Sequence, residues 1–267
     1  MSDLKNRVAL VTGGSRGIGE AIAIALAKAG AAVAVNYRER GQEAAAVVEN
    51  IQRNGGRAAA IAADVSLAGA VRGMISDVES RLGPIDILVN NAGIAVTRGL
   101  DEITEEDFDR TVAVNLKSAF LCTQGVLAGM RGRRWGRIVN ISSIAARGAG
   151  SISVAYNASK AGLINLTRCL ALDHAKDKIR VNAVCPGIIA DTTMAAKLPE
   201  GPGGLALWNS RIPMRRTGLA VEVAQVMLFV ASDLASYMSG SVIVVDGGLT
   251  AHTGMPTPDD FAAAASS

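Results

Sequence analysis

Val8-Ala9-Leu10-Val11-Thr12-Gly13-Gly14-Ser15-Arg16-Gly17-Ile18-Gly19 decides the fold of this chain. A five-residue apolar run, too short for a helix, ends in a glycine-rich loop. The loop then opens into the Ala- and Ile-rich stretch from residue 18 to 29, which carries a helical pattern. Glycines in such a strand–loop–helix unit let the backbone approach a pyrophosphate, which rests on the helix N-terminus. The spacing is T-G-x-x-x-G-x-G rather than G-x-G-x-x-G. A glycine loop alone is a common turn, and its place between strand and helix is what points to phosphate.

The same alternation continues outward. Short apolar segments at 8–12, 32–37, 58–63, 85–90, 137–142, 180–184 and 241–245 read as strands. Helical stretches lie near 18–29, 41–53, 67–82, 104–130, 155–176 and 220–232. Most of the strands are apolar on both faces, as a parallel sheet covered on both sides requires. The pattern predicts an α/β fold: a Rossmann-type doubly wound parallel seven-stranded sheet with helices on both faces and right-handed crossovers. With no linker in view, residues 1–250 are expected to form one dinucleotide-binding and catalytic domain. Residues 251–267 read as an irregular C-terminal tail.

Composition narrows the function. The 267 residues carry a net charge of +3 and are 49% hydrophobic, with two Trp, three Tyr and four Phe. No basic block interleaved with aromatics suggests nucleic acid. No N-terminal apolar segment and no apolar run near ~18 residues suggests export or membrane insertion, so a cytoplasmic protein is expected. Cys122, Cys169 and Cys185 stand singly and His174 and His252 lie far apart, which disfavours a disulfide framework or a metal site. Each cysteine lies in an apolar stretch and is expected to be buried.

Tyr156 and Lys160 carry the chemistry. They lie four residues apart in Ala155-Tyr156-Asn157-Ala158-Ser159-Lys160, on one face of a helix and thirteen residues after Ser143. A phenol titrates near ~10, and a nearby cation favours its anion. A phenol tuned this way can move a proton on or off a substrate oxygen that a serine hydroxyl holds in place. Alone, Y-x-x-x-K also arises by chance, with Tyr half-buried and Lys solvated.

The cofactor type is read at the end of the second strand. NAD-binding folds usually place a carboxylate there for the ribose 2′-hydroxyl. Here the residues are Asn36-Tyr37-Arg38, with no carboxylate before Glu39. Arg38 and Arg16 both reach this corner and suit a 2′-phosphate, which favours NADP(H), with NAD(H) as the alternative. The competing reading makes Arg38 an ordinary solvated residue.

Five motifs now stand in order: the glycine loop, Asn90-Asn91-Ala92-Gly93, Asn115, the Ser143–Tyr156–Lys160 set and Pro186-Gly187. Together they resemble the classical short-chain dehydrogenase/reductases over residues 5–249, and the overall text is most similar to the 3-oxoacyl-(acyl-carrier-protein) reductases. The resemblance implies Tyr156 as acid/base, and Lys160 lowering its pKa and bonding the nicotinamide ribose. Ser143 would orient the substrate oxygen and Asn115 would hold a water in a proton relay. Gly13, Ser15, Arg16, Gly17, Ile18 and Gly19 would meet the pyrophosphate, and Tyr37 and Arg38 the adenosine end. Asp64 and Val65 would contact the adenine; Asn90, Ala92 and Gly93 would form the ribose side, with Asn91 among the contacts. Pro186, Gly187 and Ile188 would lie against the nicotinamide. The family often has Thr five residues after that Pro; here Asp191 stands there, so either the loop is shifted and Thr193 serves, with Thr192 beside it, or Asp191 has another part.

The implied reaction is hydride transfer between nicotinamide and a ketone or secondary alcohol carbon. The segment 190–214, with Leu198, Leu205, Leu207, Trp208 and Met214, would line a small-molecule substrate cleft, and Gly201-Pro202-Gly203-Gly204 would hinge a lid; core packing is the other reading of Trp208. The alternative substrate is an acyl-carrier or CoA thioester. Arg134 matches a carrier-docking position of the family, whereas Asp177, between Lys176 and Lys178, replaces a second. A non-catalytic cofactor-binding regulator is the minor alternative, and it would be expected to lack Tyr156 or Lys160. The family implies a homotetramer, built through the helices at 104–130 and 155–176 and through the last helix and strand. The tail either reaches a neighbouring cleft or stays disordered.

Overall fold

A computed structural model describes residues 4–148, 153–197 and 204–251. Seven strands form one parallel sheet in the order β3-β2-β1-β4-β5-β6-β7. They are β1 (Val8–Val11), β2 (Ala32–Tyr37), β3 (Ala58–Ala62), β4 (Ile87–Asn90), β5 (Gly136–Ile141), β6 (Ile179–Pro186) and β7 (Val242–Val245). The helices are α1 (Gly17–Lys28), α2 (Gly41–Arg53), α3 (Ala68–Leu82), α4 (Glu105–Val112), α5 (Ser118–Arg133), α6 (Val154–His174), α7 (Leu205–Arg211) and α8 (Ala220–Ala231).

The strands sort their side chains between two cores. Ala9, Val11, Val33, Val35, Val89 and Val139 face α1, α2 and α8, where they meet Ile22, Leu26, Val47, Ile51 and Met227. Leu10, Ala34, Ile61, Leu88, Ile138 and Val181 face the other way, against Val71, Met74 and Val78 of α3 and Cys122, Val126 and Met130 of α5. This two-sided burial is why the strands read as continuous apolar runs.

Strand order reverses between β1 and β4, whose register pairs Val11 with Val89. The crevice outside the strand ends at such a switch point is where α/β sheets bind ligands. It brings the loop after β1 beside the loop after β4.

Three expectations need correction. The stretch 104–130 is not one helix: the five residues Ala113–Lys117 form a π turn between α4 and α5. Sequence periodicity cannot register one extra residue per turn. Residues 205–211 form a short helix that the sequence reading treated only as cleft lining. Cys169 is exposed on α6, while Cys122 and Cys185 are buried. The apolar text around Cys169 belongs to an amphipathic helix, and residue 169 falls on its outer face. Leu198, Gly201, Pro202, Gly203, His252 and the tail from 252 to 267 lie outside the described residues.

The two buried cysteines give a direct check. Cys122 and Cys185 are expected to react with a thiol reagent only after denaturation, as peptide mapping of labelled native and unfolded protein would show.

Candidate active site

The groove at the switch point is held open by side-chain hydrogen bonds between strand ends. Thr12 Oγ1 donates to Val89 O at 3.2 Å and accepts from Asn91 N at 3.0 Å and Ala92 N at 3.1 Å. Asn91 Nδ2 donates to Thr12 O and Gly13 O, each at 3.0 Å. From the other side, Asn36 Oδ1 accepts from Gly13 N at 3.2 Å, and its Nδ2 donates to Ile61 O and Ala63 O. The glycine loop is thus clamped between β2 and β4. Gly13, Ser15, Arg16, Gly17, Ile18 and Gly19 line the groove as expected. Gly13 has φ +60°, and a Cβ on Gly19 would collide with the Gly13 carbonyl and stand 2.5 Å from Asn91 Nδ2. The glycines form a cradle that side chains would fill, and the free amides and positive end of α1 face it.

At one end of the groove lies a basic corner. Arg16, Tyr37, Arg38 and Arg40 all line it. Arg40, which the sequence reading missed although it stands two residues past Arg38, pairs with Glu43 at 2.8 Å. Burial lowers the pKa of Arg16, and the charge of Arg40 lowers it further. Arg38 lies 2.5 Å from Glu39 and 3.9 Å from Asp64. Asp64 and Val65 form the adjoining wall. Burial pushes the Asp64 carboxyl up, but the Ser66 hydroxyl, the Ser66 amide and Arg110 together bring it down to about 2.

At the opposite end, Ser143, Tyr156 and Lys160 share the groove wall with Ala92 and Gly93. Lys160 is 4% exposed, and its Nζ donates to Ile141 O at 2.8 Å, 5.8 Å from the centre of the Tyr156 ring. Burial holds the Lys160 ammonium down at about 8. Burial also raises the Tyr156 phenol, against a hydrogen bond with Ser143 that lowers it. The expected lowering of Tyr156 by Lys160 is therefore absent in this arrangement, because the ammonium is turned to the Ile141 carbonyl. Ser143 opens a short 3-10 turn, where its Oγ accepts from Ala145 N at 3.1 Å.

Asn115 sits behind this wall. Its Oδ1 accepts from Ile94 N at 2.8 Å, and its Nδ2 donates to Ile94 O at 2.9 Å and Ser159 Oγ at 3.0 Å. The side chain is wholly occupied in joining the π turn to α6 and to the loop after β4.

Pro186, Gly187, Ile188, Thr192 and Thr193 line the far rim. Asp191 does not: its Oδ1 accepts from Ala220 N at 2.8 Å, at the first turn of α8. A carboxylate is favoured at a helix N-terminus, which gives Asp191 its separate part. Thr192 Oγ1 is used within its own turn, donating to Ile189 O and accepting from Ala195 N. Thr193 remains as the hydroxyl residue on the groove. Asn90 also departs from expectation: its Nδ2 donates to Asn140 Oδ1 at 2.8 Å inside the core, away from the groove.

A family model described as enoyl-(acyl carrier protein) reductase matches residues 13–250. The chain belongs to the short-chain dehydrogenase/reductase family. It is 43% identical to an acetoacetyl-CoA reductase of Rhizobium meliloti, over 91% of this chain and 98% of that protein. It is 41% identical to a 3-oxoacyl-(acyl-carrier-protein) reductase of Thermotoga maritima, over 92% and 98%. Among solved structures, a gluconate 5-dehydrogenase from Burkholderia cenocepacia, in complex with NADP and tartrate, superimposes with a TM-score of 0.89. The two are 34% identical, over 94% of this chain and 98% of that one.

In this oxidoreductase the glycine loop and Tyr156 line one groove. Met194, inside the segment 190–214 expected at the cleft, lines the groove together with Ile94 and Ile189, which the sequence did not signal. Arg110 of α4 also reaches the groove. Nothing in the text around Arg110 signals this, because its partner Asp64 is 46 residues away.

The buried ammonium has a consequence for pH. Lys160 titrates at about 8 in the folded protein and near 10.5 when free. Between those values the unfolded chain keeps a proton that the folded chain has released. The contribution of Lys160 to stability therefore rises with pH across the window and is flat below it. The difference in denaturation midpoint between parent and Lys160→Met is expected to shift in the parent's favour as pH climbs through that range. Parallel curves would mean that the ammonium titrates normally.

Proposed function

We propose that this short-chain dehydrogenase/reductase transfers hydride between NADP(H) and the carbonyl or alcohol carbon of a small molecule, in a single catalytic domain spanning residues 1–250. The observation that carries the reading is the placing of Tyr156 and Ser143 on the same groove as the glycine cradle and the basic corner. The nicotinamide supplies the hydride chemistry when bound. The chain's own part is positioning and proton handling. Tyr156 delivers a proton to the substrate oxygen in reduction and removes it in oxidation, with Ser143 holding that oxygen. Lys160 turns from Ile141 O toward the ribose and the phenol, which restores the pKa lowering that the free arrangement lacks. Asn115 keeps the π turn and α6 in register behind them, and offers a proton route through main chain and water.

Preference for NADP(H) rests on three guanidiniums, Arg16, Arg38 and Arg40, gathered at one corner. All three guanidiniums are exposed at the groove, and a dianionic 2′-phosphate offers them charge-assisted hydrogen bonds. Asp64 and Val65 flank the adenine, Ala92 and Gly93 the ribose, and Pro186, Gly187, Ile188 and Thr193 the nicotinamide. Asn91 supports the cradle from beneath.

A thioester substrate is the second reading, favoured by the names of the two sequence relatives. A carrier-protein form of it is weakened at the basic cluster. Arg131 is paired with Asp177 at 3.3 Å, and Arg134 Nη2 donates to Lys176 O at 3.1 Å. Asp177 thus cancels one cation of the cluster, whereas Arg134, bonded to a neutral carbonyl, keeps its charge. We also propose a homotetramer. Phe120 and Leu172 are exposed on α5 and α6, and Phe229, Tyr237 and the open edge of β7 on the other side, so both expected contact faces carry uncovered apolar groups.

Against a panel of cyclic ketones, polyols and β-ketoacyl thioesters, Tyr156→Phe is expected to lower turnover of whichever substrate is accepted by ~10²–10⁴-fold, the range for a lost general acid. Turnover within tenfold of the parent would remove Tyr156 from the mechanism. Arg38→Asp is expected to lower kcat/KM for NADP(H) by about 10–150-fold, equivalent to one charge-assisted hydrogen bond of roughly 1.5–3 kcal/mol. The value for NAD(H) should hold or improve. A parent that prefers NAD(H), or a variant losing both equally, would show that Arg38 does not read the phosphate.

A further inference from the structure

Arg110 closes a ring of hydrogen bonds at the adenosine end of the groove. Its Nη2 donates to Asp64 Oδ2 at 2.9 Å and its Nη1 to Ser66 Oγ at 2.8 Å. The Ser66 hydroxyl and amide donate in turn to Asp64 Oδ1, at 2.6 and 2.9 Å. Each carboxylate oxygen of Asp64 therefore has a fixed donor, and the turn Asp64-Val65-Ser66 that leaves β3 is locked in one shape. The guanidinium comes from α4, whose next residues are the π turn that carries Asn115. One side chain thus ties the wall expected to face the adenine to the segment that braces the reacting end.

We propose that Arg110 is a positioning residue for the adenosine half of the cofactor, acting through Asp64 and Ser66. This rests on the dinucleotide reading given above. Without Arg110, Asp64 keeps Ser66 on one oxygen but loses its anchor on the other. It is then drawn to Arg38, already 3.9 Å away. That movement both loosens the adenine wall and neutralises a guanidinium needed at the phosphate corner. A lysine at this position offers one flexible point charge in place of a planar fork, so it meets Asp64 and Ser66 with poorer geometry.

Isothermal titration of the full chain with NADPH and with 2′,5′-ADP, which lacks the nicotinamide, tests this. Arg110→Ala is expected to weaken both ligands by the same factor, at least fivefold. Arg110→Lys should fall between parent and Arg110→Ala. The double variant Asp64→Asn/Arg110→Ala should bind no more weakly than the weaker single variant, because the two residues act as one unit. Should Arg110→Ala fail to give a cooperative thermal transition, Asp64→Asn carries the same expectation for both ligands. Affinities within twofold of the parent, a loss confined to NADPH, or additive losses in the double variant would each overturn the proposal. A parent protein that binds neither NADPH nor NADH would instead overturn the dinucleotide reading itself, before Arg110 is tested.

Discussion

The lacing of Thr12, Asn36 and Asn91 around the first glycine loop is the constraint on which the site depends. Parallel strands end with free backbone groups, and the switch point leaves the largest gap among them. Here one hydroxyl and two amides fill that gap, crossing from β3 and β2 through β1 to β4. Buried polar groups of this kind are worthwhile only when nearly every member is satisfied. The reward is that the glycine backbone is held rigid and bare, with the N-terminus of α1 behind it. Any anionic ligand in the groove then meets preorganised donors and pays no loop-ordering entropy.

A second layer of polar burial supports the reacting end. Asn90 donates to Asn140, and Asn140 donates to Thr167 at 2.8 Å, so the ends of β4 and β5 are joined to the middle of α6. The same helix carries Lys160 and Tyr156 about two and three turns earlier, respectively. Lys160 donates to Ile141 at the end of β5, and Ser142 donates back to Lys160 O at 2.9 Å. A buried ammonium with a single carbonyl partner is an expensive group, which is why its pKa falls. Burial that disfavours its charge also makes the ammonium responsive to any polar group entering the groove.

How much of this the sequence reveals depends on how local each signal is. The strand–glycine–helix unit, the i to i+4 pair of Tyr156 and Lys160 and the two-sided apolar strands are local patterns, and the fold and the groove residues follow from them. Cys169 misleads because apolar neighbours in sequence are not neighbours in space on a helix. The π turn at Asn115 shifts one residue inside a long helical pattern and leaves no compositional trace. Asp191 stands where a threonine is expected, and only the approach of α8 from 29 residues downstream explains it. Arg110 and Asp64 meet through tertiary folding alone. The residues that touch the groove were mostly legible; those that hold them in place were mostly not.

The basic corner balances its cations with carboxylates close by in the chain. Arg38 is held by Glu39 and lies near Asp64, and Arg40 is held by Glu43, so the corner is not a bare cluster of cations. The Arg38–Glu39 pair is exposed on both sides, with relative side-chain exposures of 47% and 71%. Exposed pairs of this kind contribute only ~0–1 kcal/mol. On the proposed reading, a phosphate carrying nearly two charges offers these guanidiniums more acceptor oxygens than either carboxylate does. The intramolecular pairs therefore act as weak placeholders. They keep the arginines soluble and apart without a ligand, and they yield to a dianion at little cost. Glu39 has the opposite relation to a 2′-hydroxyl, for which it is an acceptor once Arg38 swings away. On the proposed reading, the balance between the two cofactors turns on how firmly Arg38 is held by its neighbour, and Asp64 enters that balance only as far as Arg110 keeps it occupied.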